Sequence, residues 1–383
     1  MNPLRRLAGD PAAAAAWQER WSRDWASTRV LLLLAATLTA EVSGISAAGA
    51  TPESRRRTAA ADAELLLLGP EAERPHALPP LPAGVSPALI AHVVVRELGL
   101  APLVVDLGCP VAPAVPHLRP GSPAGDGPAA CLSGGTAMTP RRVAHLLVLG
   151  RRWGERLAMG AGRPPLLLAE CVPGGTTTAL AVLRGLGVAA DGLVSGSLQA
   201  PAHARKAELV ARGLAAAGQP ADPLAVAAAV GDPMQPLAAG LLLAAAEAGV
   251  PMLLAGGSQM AAVLALALAL APAALRPALA AAAAVGTTAW VAEEAGSDLP
   301  LLLRRIGERW GVEPLAFAAD LRFPDPIHPA LADYERGFVK EGVGAGGLAL
   351  LWQLSGRSPA ALTLACDQAC RDLERSGLPS PDG

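Results

Sequence analysis

A chain of 383 residues with 17 % charged residues and a net charge of -2 at pH 7 is long enough for a large α/β core with a smaller second domain. So weak a net field excludes recruitment to nucleic acid or an anionic membrane by charge alone. Lys206 and Lys340 are the only lysines, with Arg in the basic role elsewhere, and together with the abundant Ala this reads as compositional bias. The mean hydropathy of +0.37 raises a membrane reading, for which 259-QMAAVLALALALAPAALRPALAAAAAV-285 is the best candidate. Pro272, Arg276 and Pro277 interrupt that run, so buried helices of a large core are expected instead.

In chain order, Trp17, Trp21 and Trp25 recur at i,i+4 and predict an amphipathic helix laid on the core. The run 30-VLLLLAAT-37 is too short to span a bilayer and reads as a central strand. The small-residue loop 43-SGISAAGATPE-53 follows, then a helix over 59–68 and a Pro-rich irregular connection over 71–86. A helix near 87–97 leads to the strand 101-APLVVDLG-108, and an irregular stretch reaches 132-LSGGTAM-138. A helix near 140–159 precedes the strand 165-PLLLAE-170, and another helix occupies 176–187. Helices at 202–213 and 236–248 flank 231-GDPMQP-236. The segment 251-PMLLAGGSQMAAVLAL-266 repeats the order strand, Gly-Gly, polar residue, helix, and 286-GTTAWVAEE-294 does so less sharply. Near-continuous apolar strands alternating with helices predict a mostly parallel sheet covered by helices on both faces, with ligand loops at the carboxyl ends of its strands. The expected division is an N-terminal helical segment over 1–28, an α/β nucleotide-binding core over 29–325, and a catalytic-loop and helical region over 326–383, the chain termini together forming a smaller helical subdomain.

Three loops carry candidate chemistry. In 166-LLLAECVPGGTTTALAVLRGLG-187 a strand ends in Glu170, and Gly174, Gly175, Thr176 and Thr177 open a helix. Unpaired N–H groups, hydroxyls and the helix dipole there make a phosphate seat; a tight turn with a Thr cap is the equally weighted alternative. Glu170 is costly after an apolar strand unless paired, hydrated or ligand-facing. The second loop is Gly256, Gly257, Ser258 and Gln259, and the third is 338-FVKEGVGAGG-347, where Glu341 precedes a Gly-rich turn. Ordinary strand-to-helix punctuation and a solvent-facing carboxylate are the plain alternatives for these two.

Other constellations carry less. Cys109, Cys131, Cys171, Cys366 and Cys370 contain no CxxC pair, and the i,i+4 spacing of Cys366 and Cys370 predicts helix neighbours. An odd cysteine count with no signal peptide points to a reducing, cytoplasmic setting. The six histidines lack metal-ligand spacing, and neither GxxxxGK[ST], GxSxG nor HExxH occurs. Arg55, Arg56 and Arg57 lack the aromatic interleaving of a nucleic-acid site.

As an ordered set, 170-ECVPGGTTTA-179, 255-AGGSQMAAV-263 and 341-EGVGAGG-347 resemble the nicotinate-nucleotide:dimethylbenzimidazole phosphoribosyltransferase family. With GISAAGATPE and PGGTTTALAVL, the chain looks closest to a divergent branch of it, over about residues 30–355. The resemblance implies a Rossmann-like sheet with a small helical domain, usually in a homodimer. It implies a pentosyltransferase that moves phosphoribose from nicotinate mononucleotide to dimethylbenzimidazole or a related base. The products would be nicotinate and the α-ribotide of the cobalamin lower ligand, made without cofactor or metal, and without nucleic-acid or membrane partners. It casts Glu341 and Glu170 as catalytic, and Gly174, Gly175, Thr176, Thr177, Gly256, Gly257, Ser258 and Gln259 as nucleotide-binding. Two departures stand out. The better-known enzymes carry Asn where this chain has Gly175, and their Pro-Pro-Gly-Ser-Leu-Gly segment is missing. A non-catalytic nucleotide-binding or regulatory homologue, and a transferase for another base such as adenine, are the alternative readings.

Overall fold

The apolar runs become strands whose two faces are both buried. The computed structural model describes residues 4–121, 125–159 and 163–376. It contains strands β1 (Arg5–Ala8), β2 (Arg29–Leu34), β3 (Leu103–Asp106), β4 (Leu166–Cys171), β5 (Met252–Ala255), β6 (Ala283–Thr287) and β7 (Leu315–Ala318). They form a single sheet in the order β1-β7-β6-β5-β4-β2-β3. All neighbours run parallel except the edge pair β1 and β7. Along β2, Leu31 and Leu33 enter one core, while Val30, Leu32 and Leu34 enter the other. Leu166 and Leu168 of β4 alternate with Leu167 and Ala169 in the same way. Helices cover both faces, which is why these strands read as unbroken apolar runs rather than alternating ones.

The predicted helices occupy nearly the predicted places: Thr58–Leu68, Ala88–Glu97, Pro140–Ala158, Gly175–Gly185, His203–Ala216, Met234–Glu247 and Ser258–Leu270. The hydropathic stretch over 259–285 resolves into Ser258–Leu270, the short helix Arg276–Ala282 and the start of β6. Among the described residues, no helix is long and apolar enough to cross a membrane. The tryptophan helix spans Pro11–Asp24 and is capped by the Asp10 carboxylate. Trp17 stacks on Trp21 and on Phe317 of β7, each with ring centroids 5.1 Å apart. Trp25 falls just beyond that helix, in a 3-10 turn. Cys366 and Cys370 are both buried in the helix Pro359–Ser376.

Sheet order positions the site. From β2 the chain moves outward to β3, then crosses back to place β4 on the opposite side of β2. The connections therefore diverge between β2 and β4, and a crevice opens at the carboxyl ends of these strands, the usual ligand position in open α/β sheets.

Candidate functional site

That crevice is a cavity of about 240 Å³, walled by loops following β2, β4 and β5 and by the turn 338–343. Of the residues singled out in the sequence, Glu170, Gly174, Gly175, Thr176, Gly257, Ser258, Gln259 and Glu341 line it. The three loops, far apart in sequence, thus meet in one space. Two expected residues are not among those lining it. Thr177 is fully buried behind the loop, its hydroxyl without a partner, because the helix phase turns it inward while Thr176 faces out. Gly256 extends the sheet, donating its N–H to the Gly286 carbonyl at 2.8 Å.

The first turn of the helix Gly175–Gly185 starts from Gly174 in the left-handed region, φ 80°. The Gly175 and Thr177 amides are already bonded, to the carbonyls of Val172 and Gly174. Behind this helix start, and not among the residues lining the cavity, lies the buried side chain of Lys206. Its Nζ donates to Thr176 Oγ1 at 3.0 Å and to the Ser195 carbonyl at 2.7 Å. No carboxylate touches this ammonium among the described contacts, and burial pushes its pKa down to about 8. The charge of Glu294, acting through space, opposes that shift.

Glu170 is 2 % exposed. Burial, with the nearby charges of Glu341 and Asp232, pushes its pKa up to about 8; the Val172 amide, donating to Oε2 at 3.1 Å, opposes the shift. Glu341 is partly exposed to the cavity and accepts four hydrogen bonds. Thr287 Oγ1 and the Thr288 amide donate to Oε2 at 2.9 and 3.0 Å, and the Gly342 and Gly346 amides donate to Oε1 at 3.1 and 3.0 Å. Burial raises its pKa, while those four donors pull it back. Donors aimed at the charged form favour the anion; Glu341 has four of them, while Glu170 has one backbone donor and holds its proton up to about pH 8.

The segment presenting Glu341 is strained. Val339, Lys340 and Val343 have φ of 64°, 61° and 51°, a region that β-branched residues avoid. The Lys340 amide bonds the Phe338 carbonyl and the Glu341 amide bonds the Val339 carbonyl. These are successive i→i+2 turns about positive-φ residues, a strained arrangement that persists only where its surroundings overdetermine it. The surroundings are explicit. Lys340 Nζ pairs with Glu294 at 2.7 Å and donates to the Leu198 carbonyl at 2.6 Å. Thr288 Oγ1 donates to the Lys340 carbonyl, and the Val343 amide donates to the Glu170 carbonyl. The two lysines thus hold opposite ends of the strap 195–199, Lys206 at Ser195 and Lys340 at Leu198, with Ser195 and Ser197 on the cavity wall. Both were legible as the chain's only lysines; the reading as compositional bias missed them.

Two measurements follow from this geometry. Removing Lys340 as Lys340→Met leaves the buried Glu294 side chain with the Ser297 hydroxyl but without its ion-pair partner, which costs about 3–5 kcal/mol; the urea midpoint should drop accordingly, and a loss too small to detect would mean the pair is not sealed from water. For Glu170, the folded pKa of about 8 lies above the ordinary 4.5. Its contribution is complete below the unfolded value and is lost as pH rises through about 8, since the folded state then binds the extra proton. Urea stability of the wild type should therefore fall more steeply than that of Glu170→Gln across this window. Parallel pH profiles would contradict a protonated Glu170.

Comparison with known proteins places the chain in a family. A family model described as a phosphoribosyltransferase (DBI_PRT) matches residues 88–293, a range that includes Glu170, the helix start at Gly174 and Gly256–Gln259 but ends before Glu341. A UPF0284 protein of Prochlorococcus marinus (strain MIT 9313) is 53 % identical, with 97 % of this chain and 94 % of that protein aligned. One from Gloeobacter violaceus is 48 % identical over the same shares. Two solved structures from Thermus thermophilus, of CobT and of a nicotinate-nucleotide-dimethylbenzimidazole phosphoribosyltransferase, superpose with TM-scores of 0.55 and 0.54 at 22 % identity. They cover 95 % of this chain and 92 % and 96 % of their own, and they show the Rossmann-like fold to be shared. By the extent of the family model and the identity of its relatives, the chain belongs to the DBI_PRT phosphoribosyltransferase family, in its UPF0284 branch.

Proposed function

We propose that the protein transfers phosphoribose from nicotinate mononucleotide to a ring nitrogen of dimethylbenzimidazole or a related base, releasing nicotinate and an α-ribotide of the kind used as a cobalamin lower ligand. The observation that carries this reading is the meeting of an anion seat and two unequally acidic carboxyls in one cavity. Such pairs, pushed apart by their environments, are how a site separates acid from base roles.

In this reading Thr176 and Ser258 hold the phosphate at the start of the helix Gly175–Gly185, where the helix dipole adds to the attraction and Lys206 supports Thr176 from behind. The nicotinate nitrogen is cationic in the substrate, so the C1′–N bond breaks with its electron pair passing to that nitrogen, and no acid is needed to help it leave. The lone pair of the incoming ring nitrogen forms the new bond to C1′ from the opposite face, inverting β to α. Glu341, whose four donors favour its ionised form, takes the N–H proton that the incoming ring must shed. Its cradle fixes the carboxylate before the reaction and so removes the cost of orienting it. Glu170, neutral, contributes a hydrogen-bond donor rather than a second negative charge. The apolar walls lower the local dielectric and strengthen each of these interactions. The protein works in this reading on small molecules in the cytoplasm, as a homodimer.

Chromatographic detection of released nicotinate together with a new α-ribotide tests the reaction directly. Glu341→Gln keeps the shape but not the basicity, and turnover should fall by a factor of about 100 or more while the mononucleotide still binds. Lys206→Met should instead weaken mononucleotide binding. Full turnover in Glu341→Gln would remove the base from this mechanism, and no nicotinate release with any azole or purine acceptor would reject the transferase reading.

A further inference from the structure

The same cavity wall carries apolar residues, Leu78, Val85 and Phe338 among them, and a further carboxyl, Asp62, which is tied to Ser86 next to Val85. Asp62 lies in the helix Thr58–Leu68, whose residues through Leu66 are all buried. Every other buried carboxylate among the described residues has a backbone amide or a cation to hold it. Glu64 takes the amides of His76 and Ala114, and Asp106 those of Gly108 and Cys109. Glu170 takes the Val172 amide, Asp232 the Met234 amide and Asp333 the Gly84 amide. Asp62 has only neutral side-chain donors, the Ser86 hydroxyl on Oδ1 at 2.6 Å and the Cys171 thiol on Oδ2 at 3.3 Å.

One donor on each oxygen leaves half of the carboxyl's acceptor positions unused. A buried carboxyl so sparsely served costs stability unless something else completes it. This step rests on the reading above, with the planar aromatic base seated against these apolar residues and its far edge toward Asp62. Methyl groups on its far edge, as in dimethylbenzimidazole, would seal Asp62 against hydrocarbon and satisfy nothing. An N–H donor on that edge would complete the carboxyl, and the imidazole ring of a purine would still offer Glu341 the same proton and C1′ the same nucleophile.

We infer that Asp62 is a specificity-determining residue for the acceptor, selecting a heteroaromatic base whose six-membered ring carries an N–H donor, the aminopurine class, over a base with an alkylated edge. Burial pushes the Asp62 pKa up to about 6, against the pull of Ser86 and Cys171, which agrees with a group awaiting a further donor. Sites built to hydrogen-bond a polar group reject analogues lacking it far more strongly than apolar pockets reject a polar isostere.

The test is calorimetric titration of the full chain with adenine and with dimethylbenzimidazole, each with and without nicotinate mononucleotide. Adenine should bind at least about tenfold tighter to the wild type. Asp62→Leu, which converts the wall to hydrocarbon of similar size, should reverse the preference by weakening adenine and strengthening dimethylbenzimidazole. General damage to the fold would weaken both alike. Asp62→Asn serves as the conservative variant and should lose adenine affinity with dimethylbenzimidazole little changed. Equal or tighter binding of dimethylbenzimidazole to the wild type overturns the inference whatever the variants do, and so does absence of binding by either base. Nicotinate release, read on the same samples, separates this result from the transferase reading. The predicted base preference without release rejects the reaction and keeps Asp62 as the selector; release with dimethylbenzimidazole preferred keeps the reaction and rejects the selector.

Discussion

The turn bearing Glu341 reaches the sheet only because no side chain stands between them. A Cβ at Gly346 would run into the Thr287–Thr288 backbone and the Glu341 carboxylate, and one at Gly347 into Ala255. The sheet answers with its own small residues, the paired Ala169 of β4 and Ala255 at the end of β5. This backbone-to-backbone seating aims the Thr288 and Gly346 amides at Glu341 and lets the Val343 amide bond the carbonyl of Glu170. A carboxylate supported by four donors is a costly arrangement to assemble from a flexible loop. Here the cost is spread over a strained but heavily bonded turn, so the group is in place before any ligand arrives.

Charge at the site is arranged by depth. The acids Glu170, Asp232 and Glu341 influence one another through poorly screened space, and the proton is left on Glu170. The cations stand around them in two different states. Lys340 is neutralised by Glu294 and ties the strap 195–199 to the Glu341 turn. Lys206 is bonded to a hydroxyl and a carbonyl and feels the Glu294 charge only from further away. One lysine makes a direct ion pair and the other neutral contacts, and both bind the same strap. Movement of that strap would therefore be felt at the helix start and at Glu341 together.

Much of this was legible because the sequence punctuates strands and helices with different residues. The apolar run 166–170 followed by Pro-Gly-Gly forces a strand to end and a helix to begin, and Met252–Ala255 with Gly256 and Gly257 repeats the same grammar. What stayed hidden was orientation. Thr176 and Thr177 are equivalent in composition, and only the phase of a helix in three dimensions sends one hydroxyl to the cavity and buries the other. Strand β1 carries Arg5 and Arg6 on a four-residue edge, too short and polar to announce itself, and it exists because β7 offers an unpaired edge. Asp62 and Glu64 look like the wet face of an Ala-rich helix. Their helix has no wet face there, because the helix Ala88–Glu97 and the body of the sheet enclose it.

The departure at Gly175 has a structural counterpart. The better-known enzymes of the resembling family place an Asn side chain at this position in the phosphate loop. Here the space that any side chain at 175 would enter is filled by the Gln259 amide, reaching across from the loop after β5. Gln259 lines the cavity with Glu170 and favours the ionised form of that carboxyl. The amide has not been lost from the site; it is delivered from the neighbouring strand and coupled to the acid. Such an exchange constrains both positions at once, since a side chain at 175 collides while Gln259 stays, and removing Gln259 opens a polar void beside a buried carboxyl. Divergence at this loop is therefore read more safely from the volume the two residues share than from either position alone.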